Sequence, residues 1–302
     1  MVFQTFDQLI AAAKSKPTTS RMAVAAAGDP HTIEAVLMAR AEGIAEPVLV
    51  GDKAAILEAL AEFNATVPEE DIYDVPDLAE SARVAVSLVV EGKADFLMKG
   101  KLDTGILLKA VVNKECGLGQ GRTMSHFTMF QVPGYHKLMV PVDGGMVTYP
   151  TLEQKKDIIM NTVDTLRAMG YDQPKVGVLA CVEKLNPKMP ETVEADALKQ
   201  MNQNGEIPGC IVEGPISYDC AMSKEVAEFK GFHSPCAGDC DVLVAPNIHA
   251  GNIMGKMLTV TCGAKMAGFI VGAKCPIVMT SRGSSPEEKY LSIVIATVAA
   301  QK

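Results

Sequence analysis

The sequence predicts an α/β protein with a mostly parallel sheet. Along the whole chain, short apolar runs alternate with amphipathic segments of helical length, the pattern of repeated strand and helix units. The 302 residues, 48% hydrophobic and 21% charged, have the composition of an ordinary globular chain and the length for one large or two medium domains. A core of that size needs no disulfide or metal staple.

The predicted strands cover 22–26, 47–50, 94–98, 175–181, 210–212, 241–245, 268–271 and 276–279. Between them lie predicted helices at 31–42, 53–63, 78–91, 103–113, 152–169, 190–203, 219–229, 251–263 and 286–299. The stretch 122–142 departs from the alternation, because it holds two extended runs around Pro133-Gly134 with no room for a helix. It reads as an antiparallel excursion that ends the first half. Thr151 and Gln154 have capping-box spacing for the next helix, so a domain boundary near 140–150 is a tight crossover.

Composition excludes several functions. The formal net charge of −8 gives no general field for nucleic acid or anionic lipid. The 5% aromatic share, with no tryptophan, is poor material for stacking on bases or sugars. A phosphate-bearing ligand must therefore be held by a local cluster. Eight cysteines are spread through the chain, several inside apolar runs, and read as reduced, buried small hydrophobes, which favours the cytoplasm. The first residues lack the basic start of a signal peptide, and the apolar runs fall short of the ~18 residues of a membrane span. His233, Cys236 and Cys240 have the spacing of half a zinc site without a second ligand pair, so no metal is expected. Gly117 to Gly121 lacks the dinucleotide-binding context. Gly251 to Met257 lacks the first glycine and last hydroxyl of a Walker loop.

Three predicted strand ends gather cationic, hydroxyl and small residues where a doubly wound sheet binds its ligand. They are Lys99-Gly100-Lys101-Leu102-Asp103-Thr104, Pro246-Asn247-Ile248-His249-Ala250-Gly251-Asn252, and Thr280-Ser281-Arg282-Gly283-Ser284-Ser285. The third places an arginine fork and several hydroxyls at one helix entrance, an anion-binding combination.

At these residues the chain resembles the phosphate acetyl/butyryl transferase family, most closely its phosphate butyryltransferase branch. The resemblance spans nearly the whole sequence. Its signatures are Gly92-Lys93-Ala94-Asp95 leading to Lys99-Gly100, Ser125-His126 leading to Pro133-Gly134-Tyr135, and Glu213-Gly214-Pro215 with Tyr218-Asp219 and Ala221. Pro246-Asn247-Ile248 with Gly251-Asn252 and Lys256, then Ser281-Arg282-Gly283, complete the set. The resemblance implies two three-layer α/β/α domains with an interdomain cleft, the first formed by 1–140 with 272–302 and the second by 141–271.

It also implies direct, reversible transfer of a short acyl group, butyryl foremost, between the coenzyme A thiol and inorganic phosphate in a ternary complex. CoA and phosphate would be substrates, with no tightly bound cofactor, and the enzyme a cytoplasmic homodimer or higher homo-oligomer without nucleic-acid or membrane partners. The implied catalytic residues are Ser281, phosphate-binding Arg282, and Glu288 as acceptor of the thiol proton. Implied CoA or phosphate contacts are Lys99, Lys101, Lys109, Ser125, His126, Asn247, Gly251, Asn252 and Lys256. Lys109 stands where the acetyltransferase branch has an arginine, and Glu288 where that branch usually has aspartate. Two alternatives are acetyl or another short-chain preference, and a non-catalytic acyl-CoA-binding module. Glu288 has a rival role of its own, since Ser285-Pro286-Glu287-Glu288 also reads as a capping box.

Overall fold

The computed structural model describes residues 2–280 and 283–300. In chain order its elements begin with α1 (Phe6–Lys14), β1 (Ser20–Ala25), α2 (Pro30–Ala41), β2 (Ala45–Gly51), α3 (Lys53–Glu62), β3 (Ile72–Asp74), α4 (Leu78–Val90), β4 (Phe96–Lys99) and α5 (Thr104–Val111). The middle of the chain forms β5 (Ser125–Gln131), β6 (Val140–Val142), α6 (Leu152–Ala168), β7 (Lys175–Leu179), α7 (Pro190–Gln203), β8 (Ile211–Ile216), α8 (Tyr218–Met222), α9 (Lys224–Phe229), β9 (Val242–Val244) and α10 (Ile248–Lys256). It closes with β10 (Lys265–Val271), β11 (Ile277–Val278) and α11 (Pro286–Ala299). No helix among the described residues is long and apolar enough to cross a membrane.

The chain divides into two compact units, one of Met1–Phe6 with Thr123–Met266 and the other of Asp7–Arg122 with Ala267–Lys302. The division thus falls at 6/7, 122/123 and 266/267, where the sequence expectation placed boundaries only at 140/141 and 271/272. The hairpin accounts for the earlier boundary. Phe130 and Met139 exchange backbone hydrogen bonds of 2.8 and 3.1 Å, and β6 then pairs in parallel with β9.

In the unit containing both ends of the α/β alternation, strands lie in the order β3-β2-β1-β4-β11-β10. β1 pairs in parallel with β2 on one side and β4 on the other, so the chain reverses direction across the sheet between β1 and β4. That is the topological switch point, where the carboxyl ends of neighbouring strands open a crevice. β11 continues the parallel array beside β4, while β10 runs antiparallel to β11. Met22, Leu49, Phe96, Leu97, Met98, Ile33 and Ile277 are fully buried. Sequence patterning missed β3, a three-residue edge strand with no buried side chain.

α11 differs from a surface helix in burying residues on all sides, from Lys289 to Ala299. Its carboxyl end is held by Lys16, whose ammonium donates to the Thr297 and Ala300 carbonyls, each at 2.7 Å, the cationic partner a helix C-terminus favours.

In the other unit the strands run β6-β9-β7-β8, all in parallel. The capping box forms at α6: the Thr151 hydroxyl accepts from the Gln154 amide at 3.3 Å, and Gln154 Oε1 accepts from the Thr151 amide at 3.0 Å. The predicted helix at 219–229 is two short ones, because Ser223 takes extended geometry and caps α9. The predicted helix at 251–263 starts earlier, at Ile248, and widens into a π turn over Met257–Thr261. Cys220, Cys236 and Cys240 pack in the core with Met139, Ile216 and Leu243. Cys181 and Cys262 are exposed instead; β7 ends at Leu179, leaving Cys181 beyond the apolar run.

At the amino ends of these strands lies a buried charge network. The Lys137 ammonium bonds Asp239 at 2.8 Å and Asp241 at 2.7 Å, with only 5% and 4% of the Lys137 and Asp241 side chains exposed. Lys175 and His136 also bond Asp239. Burial pushes the Asp239 carboxyl up, but its bonds to Lys137, Lys175 and His136 hold it well below the usual carboxylate range. A carboxyl depressed on folding contributes stability above its unfolded value, near 3.9, that is lost as pH falls further. The urea midpoint of the wild type should therefore drop as the pH falls below about 4. Asp239→Asn should be less stable at pH 7 with a shallower acid limb; parallel limbs would remove Asp239 from the acid response.

Candidate active site

The switch point is fixed by a close approach of two backbones. Gly100 and Lys101 donate amide hydrogens to the Ala25 and Ala26 carbonyls at 2.8 and 2.9 Å. A Cβ on Gly100 would lie 2.7 Å from the Ala25 oxygen and nearer still to that of Ala26, so this position admits only glycine. Ala26 itself takes a left-handed φ of 54°, a strained conformation for alanine. Ser81 from α4 supports it, accepting from the Ala26 amide at 2.9 Å and donating to the Val50 carbonyl at 3.1 Å.

A cavity of about 380 Å³ opens at this point, lined by Asp29, Thr32, Lys99, Lys101, Asp103, Thr280 and Lys289 among others. Lys99 is 9% exposed, and its ammonium donates to the Leu102 carbonyl at 3.1 Å. Lys101 is exposed at the rim. Two helix starts adjoin the cavity. At α2 the Asp29 carboxylate accepts from the Thr32 amide and hydroxyl at 3.0 and 2.7 Å, which already satisfies that terminus. At α5, Asp103 occupies the cap position without a side-chain cap bond, so the first-turn amides suit an anion. Lys109, also expected at the site, sits exposed on the last turn of α5 and is not among the cavity's lining residues.

Thr280 brings the end of β11 to the same cavity. Ser281 and Arg282, which follow it, lie outside the described residues. Beyond them the Ser285 hydroxyl accepts from the Glu288 amide at 3.1 Å, capping α11. The Glu288 carboxylate turns to the Ser284 hydroxyl, which donates to it at 2.6 Å. This cap thus uses the backbone of residue 288, which any side chain supplies.

A second group of expected residues meets in the other unit, around the turn at Asp143-Gly144-Gly145-Met146. The Asp143 carboxylate accepts from the amides of His126 at 2.9 Å, Gly145 at 2.7 Å and Met146 at 2.8 Å. Gly251 packs on this turn so closely that a Cβ would stand 2.6 Å from the Asp143 carbonyl oxygen. Asn252 donates to the Gly144 carbonyl at 3.0 Å. Asn247 caps α10, accepting from the His249 and Ala250 amides at 3.1 and 3.2 Å. Ser125 is fully enclosed beneath, within 3.4 Å of the Asn161 amide nitrogen. His126 is half-buried beside Thr128, 3.1 Å from its hydroxyl; burial lowers its pKa and the Asp143 carboxylate opposes that. Lys256 is exposed on the last turn of α10. Within this group, Asn247, Gly251 and Asn252 thus shape the backbone.

A larger cavity in this unit, about 730 Å³, is apolar and, among the described residues, has Glu191 as its one charged lining residue. The smaller, lysine-lined cavity is the one that suits an anion. Glu183, Asp219 and Cys220 bring potential metal-ligand atoms within 4.8 Å of one another, but the Lys230 ammonium already bridges the two carboxylates at 2.9 Å each. Hydrogen bonds from Ser217 and Lys230 lower the Asp219 carboxyl to about 2. Cys236 and Cys240 are enclosed, with the Cys240 thiol donating to the Cys236 carbonyl at 3.2 Å.

The sequence reading passed over Asp29, Thr32 and Lys289. Asp29 and Thr32 look like an ordinary helix start, which they are; Lys289 looks like a solvated first-turn charge. Gly100→Ala puts a methyl group against backbone that cannot retreat, and should destabilise the protein by about 3 kcal/mol, the upper end of overpacking costs. A loss below about 0.5 kcal/mol in urea unfolding would mean that β1 and β4 part freely.

A sequence profile described as Phosphate acetyl/butaryl transferase matches residues 77–297. The chain is 40% identical over 299 residues to the phosphate butyryltransferase of Clostridium acetobutylicum, covering 99% of both chains. It is 42% identical over 294 residues to the phosphate acetyltransferase of Thermotoga maritima, covering 97% of this chain and 99% of the other. The crystal structure of a branched-chain phosphotransacylase from Enterococcus faecalis V583 superposes with a TM-score of 0.81 at 31% identity, covering 93% of this chain and 99% of that one. The chain therefore belongs to the phosphate acetyl/butaryl transferase family.

Proposed function

We propose that this protein is a phosphate acyltransferase that moves a short acyl group, butyryl foremost, reversibly between coenzyme A and inorganic phosphate. The observation that carries this reading is a lysine-lined cavity at the β1/β4 switch point, in a chain so similar over its full length to enzymes named for phosphate acyl transfer. CoA and phosphate are its substrates and it needs no tightly bound cofactor. It works in the cytoplasm as a homodimer or larger homo-oligomer.

In the direction of acyl-CoA synthesis the CoA thiol gives its proton to Glu288 and the thiolate sulfur attacks the carbonyl carbon of the acyl phosphate. The new C–S bond forms, the carbon–oxygen bond to phosphate breaks, and inorganic phosphate leaves with that electron pair. Positioning two anionic reactants is the main task, and fixed donors at the developing oxyanion are the main lever on the barrier. Ser281 supplies such a donor, while the planar fork of Arg282 holds phosphate. Lys99 and Lys101 add charge at the cavity; Lys109, His126 and Lys256 meet the CoA portion, with Ser125, Asn247, Gly251 and Asn252 holding the backbone that CoA approaches.

Proton transfer to Glu288 needs help, because an ordinary carboxyl near 4.3 is about 4 units too acidic for a thiol near 8.5, roughly 6 kcal/mol. Enclosure of the bound thiol among cations would lower that gap. The α11 cap uses only the Glu288 amide, and its carboxylate, which accepts from the Ser284 hydroxyl, is not part of that cap.

The test is release of free CoA from acyl-CoA, followed with a thiol reagent with and without phosphate. Phosphate-dependent release is expected, with kcat/KM highest for butyryl among acetyl, propionyl, butyryl and isobutyryl substrates. Release independent of phosphate would make the protein a thioesterase, and no release with any of these chains would make it a binding module. Two variants test the roles. Glu288→Gln should keep the wild-type Tm and lose most of kcat with CoA and butyryl phosphate; full turnover would remove Glu288 from the mechanism. Ser281→Ala should lower kcat by about 10- to 1000-fold, as for a lost oxyanion donor, and an unchanged kcat would leave it a turn residue.

A further inference from the structure

β7 pairs in parallel with β8 on one side and β9 on the other, so the chain reverses direction across this sheet between β7 and β9, as it does across the larger sheet between β1 and β4. The carboxyl ends of β7 and β9 are therefore a second switch point, where a parallel sheet opens a ligand crevice. The apolar cavity of about 730 Å³ lies there, lined by residues 179–181 at the end of β7 and 245–246 just past β9. Its volume is that of a small-molecule site.

The lining restricts the occupant. Met254 comes from α10, Met257 from the π turn that follows it, Met189 from the cap of α7, and Tyr218 from the start of α8. Flexible thioethers and an aromatic ring around an apolar space suit the faces of a flat π system. Polar groups are few. The Thr192 hydroxyl accepts from the Asn186 amide at 2.9 Å and donates to the Met189 carbonyl at 2.8 Å, so it is already engaged. Glu191 brings a carboxylate, which accepts hydrogen bonds and repels anions. The occupant that fits is neutral and flat, apolar on its faces and armed with an N–H donor at one edge. A butyryl chain has neither a ring nor a donor, and four carbons fill a small part of the space. The adenine base of coenzyme A has every one of these features. Exposed Lys256 directly precedes Met257 in the chain, which puts a cation near the cavity for the phosphates of the same nucleotide.

We propose that the apolar cavity at the β7/β9 switch point seats the adenine base of coenzyme A, with its 6-amino edge on Glu191 and its faces against Met189, Met254, Met257 and Tyr218. The inference rests on the reading that CoA is a substrate, and gives its nucleotide end to this unit.

Two exposed cysteines, Cys181 and Cys262, line the cavity and report on it without any variant. Wild-type protein is alkylated with iodoacetamide, alone or with adenosine 3′,5′-bisphosphate, the nucleotide end of CoA without its thiol, and labelling is read by peptide mass spectrometry. The bisphosphate should slow labelling of Cys181 and Cys262 severalfold and leave the half-buried Cys116, which does not line the cavity, unchanged. Equal labelling of Cys181 and Cys262 with and without the bisphosphate overturns the proposal. So does protection of Cys116 alone, or of all three alike, the mark of general stabilisation. Protection by sodium hexanoate but not by the bisphosphate would give the cavity to an acyl chain and also overturn it.

Steady-state kinetics test the edge contact. The wild-type KM should be at least about tenfold higher for the butyryl thioester of the hypoxanthine analogue of CoA, where an oxo group replaces the amine, than for butyryl-CoA, the loss expected when a donor facing a carboxylate becomes an acceptor. Glu191→Gln should narrow that ratio, because its amide can donate to the oxo group. A ratio near one in the wild type, or one that Glu191→Gln leaves as it was, takes the base away from Glu191 and overturns the proposal. Phosphate-dependent CoA release by the wild type is measured beside the labelling. Protection without release would keep the nucleotide site and defeat the acyl-transfer reading, whereas release without protection would do the reverse.

Discussion

The structure turns on the contact between the ends of β1 and β4, where Gly100 and Lys101 bond the Ala25 and Ala26 carbonyls. The contact needs a residue without a side chain at 100 and a left-handed alanine at 26. Both demands are met locally, the second with the help of Ser81. Once the strands are joined there, Lys99 is drawn into the interior, Lys101 is left at the rim, and α5 starts beside the cavity. A parallel sheet that reverses its winding at one strand makes a crevice at that strand's carboxyl end, and here the crevice is furnished with cations. Backbone geometry comes first; charge is added to it.

The other unit solves a different problem. Its family-signature residues at Asn247, Gly251 and Asn252 bond or pack on the chain's own backbone. Together with Asp143, which accepts three amide hydrogens, they freeze the turn 143–146 and the start of α10. The network of Lys137, Lys175, His136, Asp239 and Asp241 ties the opposite ends of the strands. Polar residues in this unit thus hold the sheet at both ends of its strands, and the hydrophobic interior between them contains three of the cysteines.

Much of this was legible in the sequence. Alternating apolar runs gave away the parallel strands, and the strand-end clusters at Lys99-Gly100 and Thr280 pointed to the edge where the cavity lies. What remained hidden was hidden for physical reasons. β3 is too short and too exposed to carry a hydrophobic period. The break at Ser223 rests on one extended residue, which helix periodicity does not register. The boundary at 122/123 depends on the Phe130–Met139 pairing and on that of β6 with β9, about a hundred residues further along the chain. Lys289 was hidden most completely. Ser-Pro-Glu-Glu-Lys is the language of a solvated helix start, and only the burial of α11 on all sides brings that lysine into the interior.

The proposal at the centre of this account is that the acyl acceptor is held in the lysine-lined cavity at the β1/β4 switch point. A crystal structure of the enzyme grown with inorganic phosphate and CoA tests it most directly. The account predicts phosphate density in that cavity, beside the Lys99 and Lys101 side chains that line it. Phosphate bound away from this cavity would contradict it.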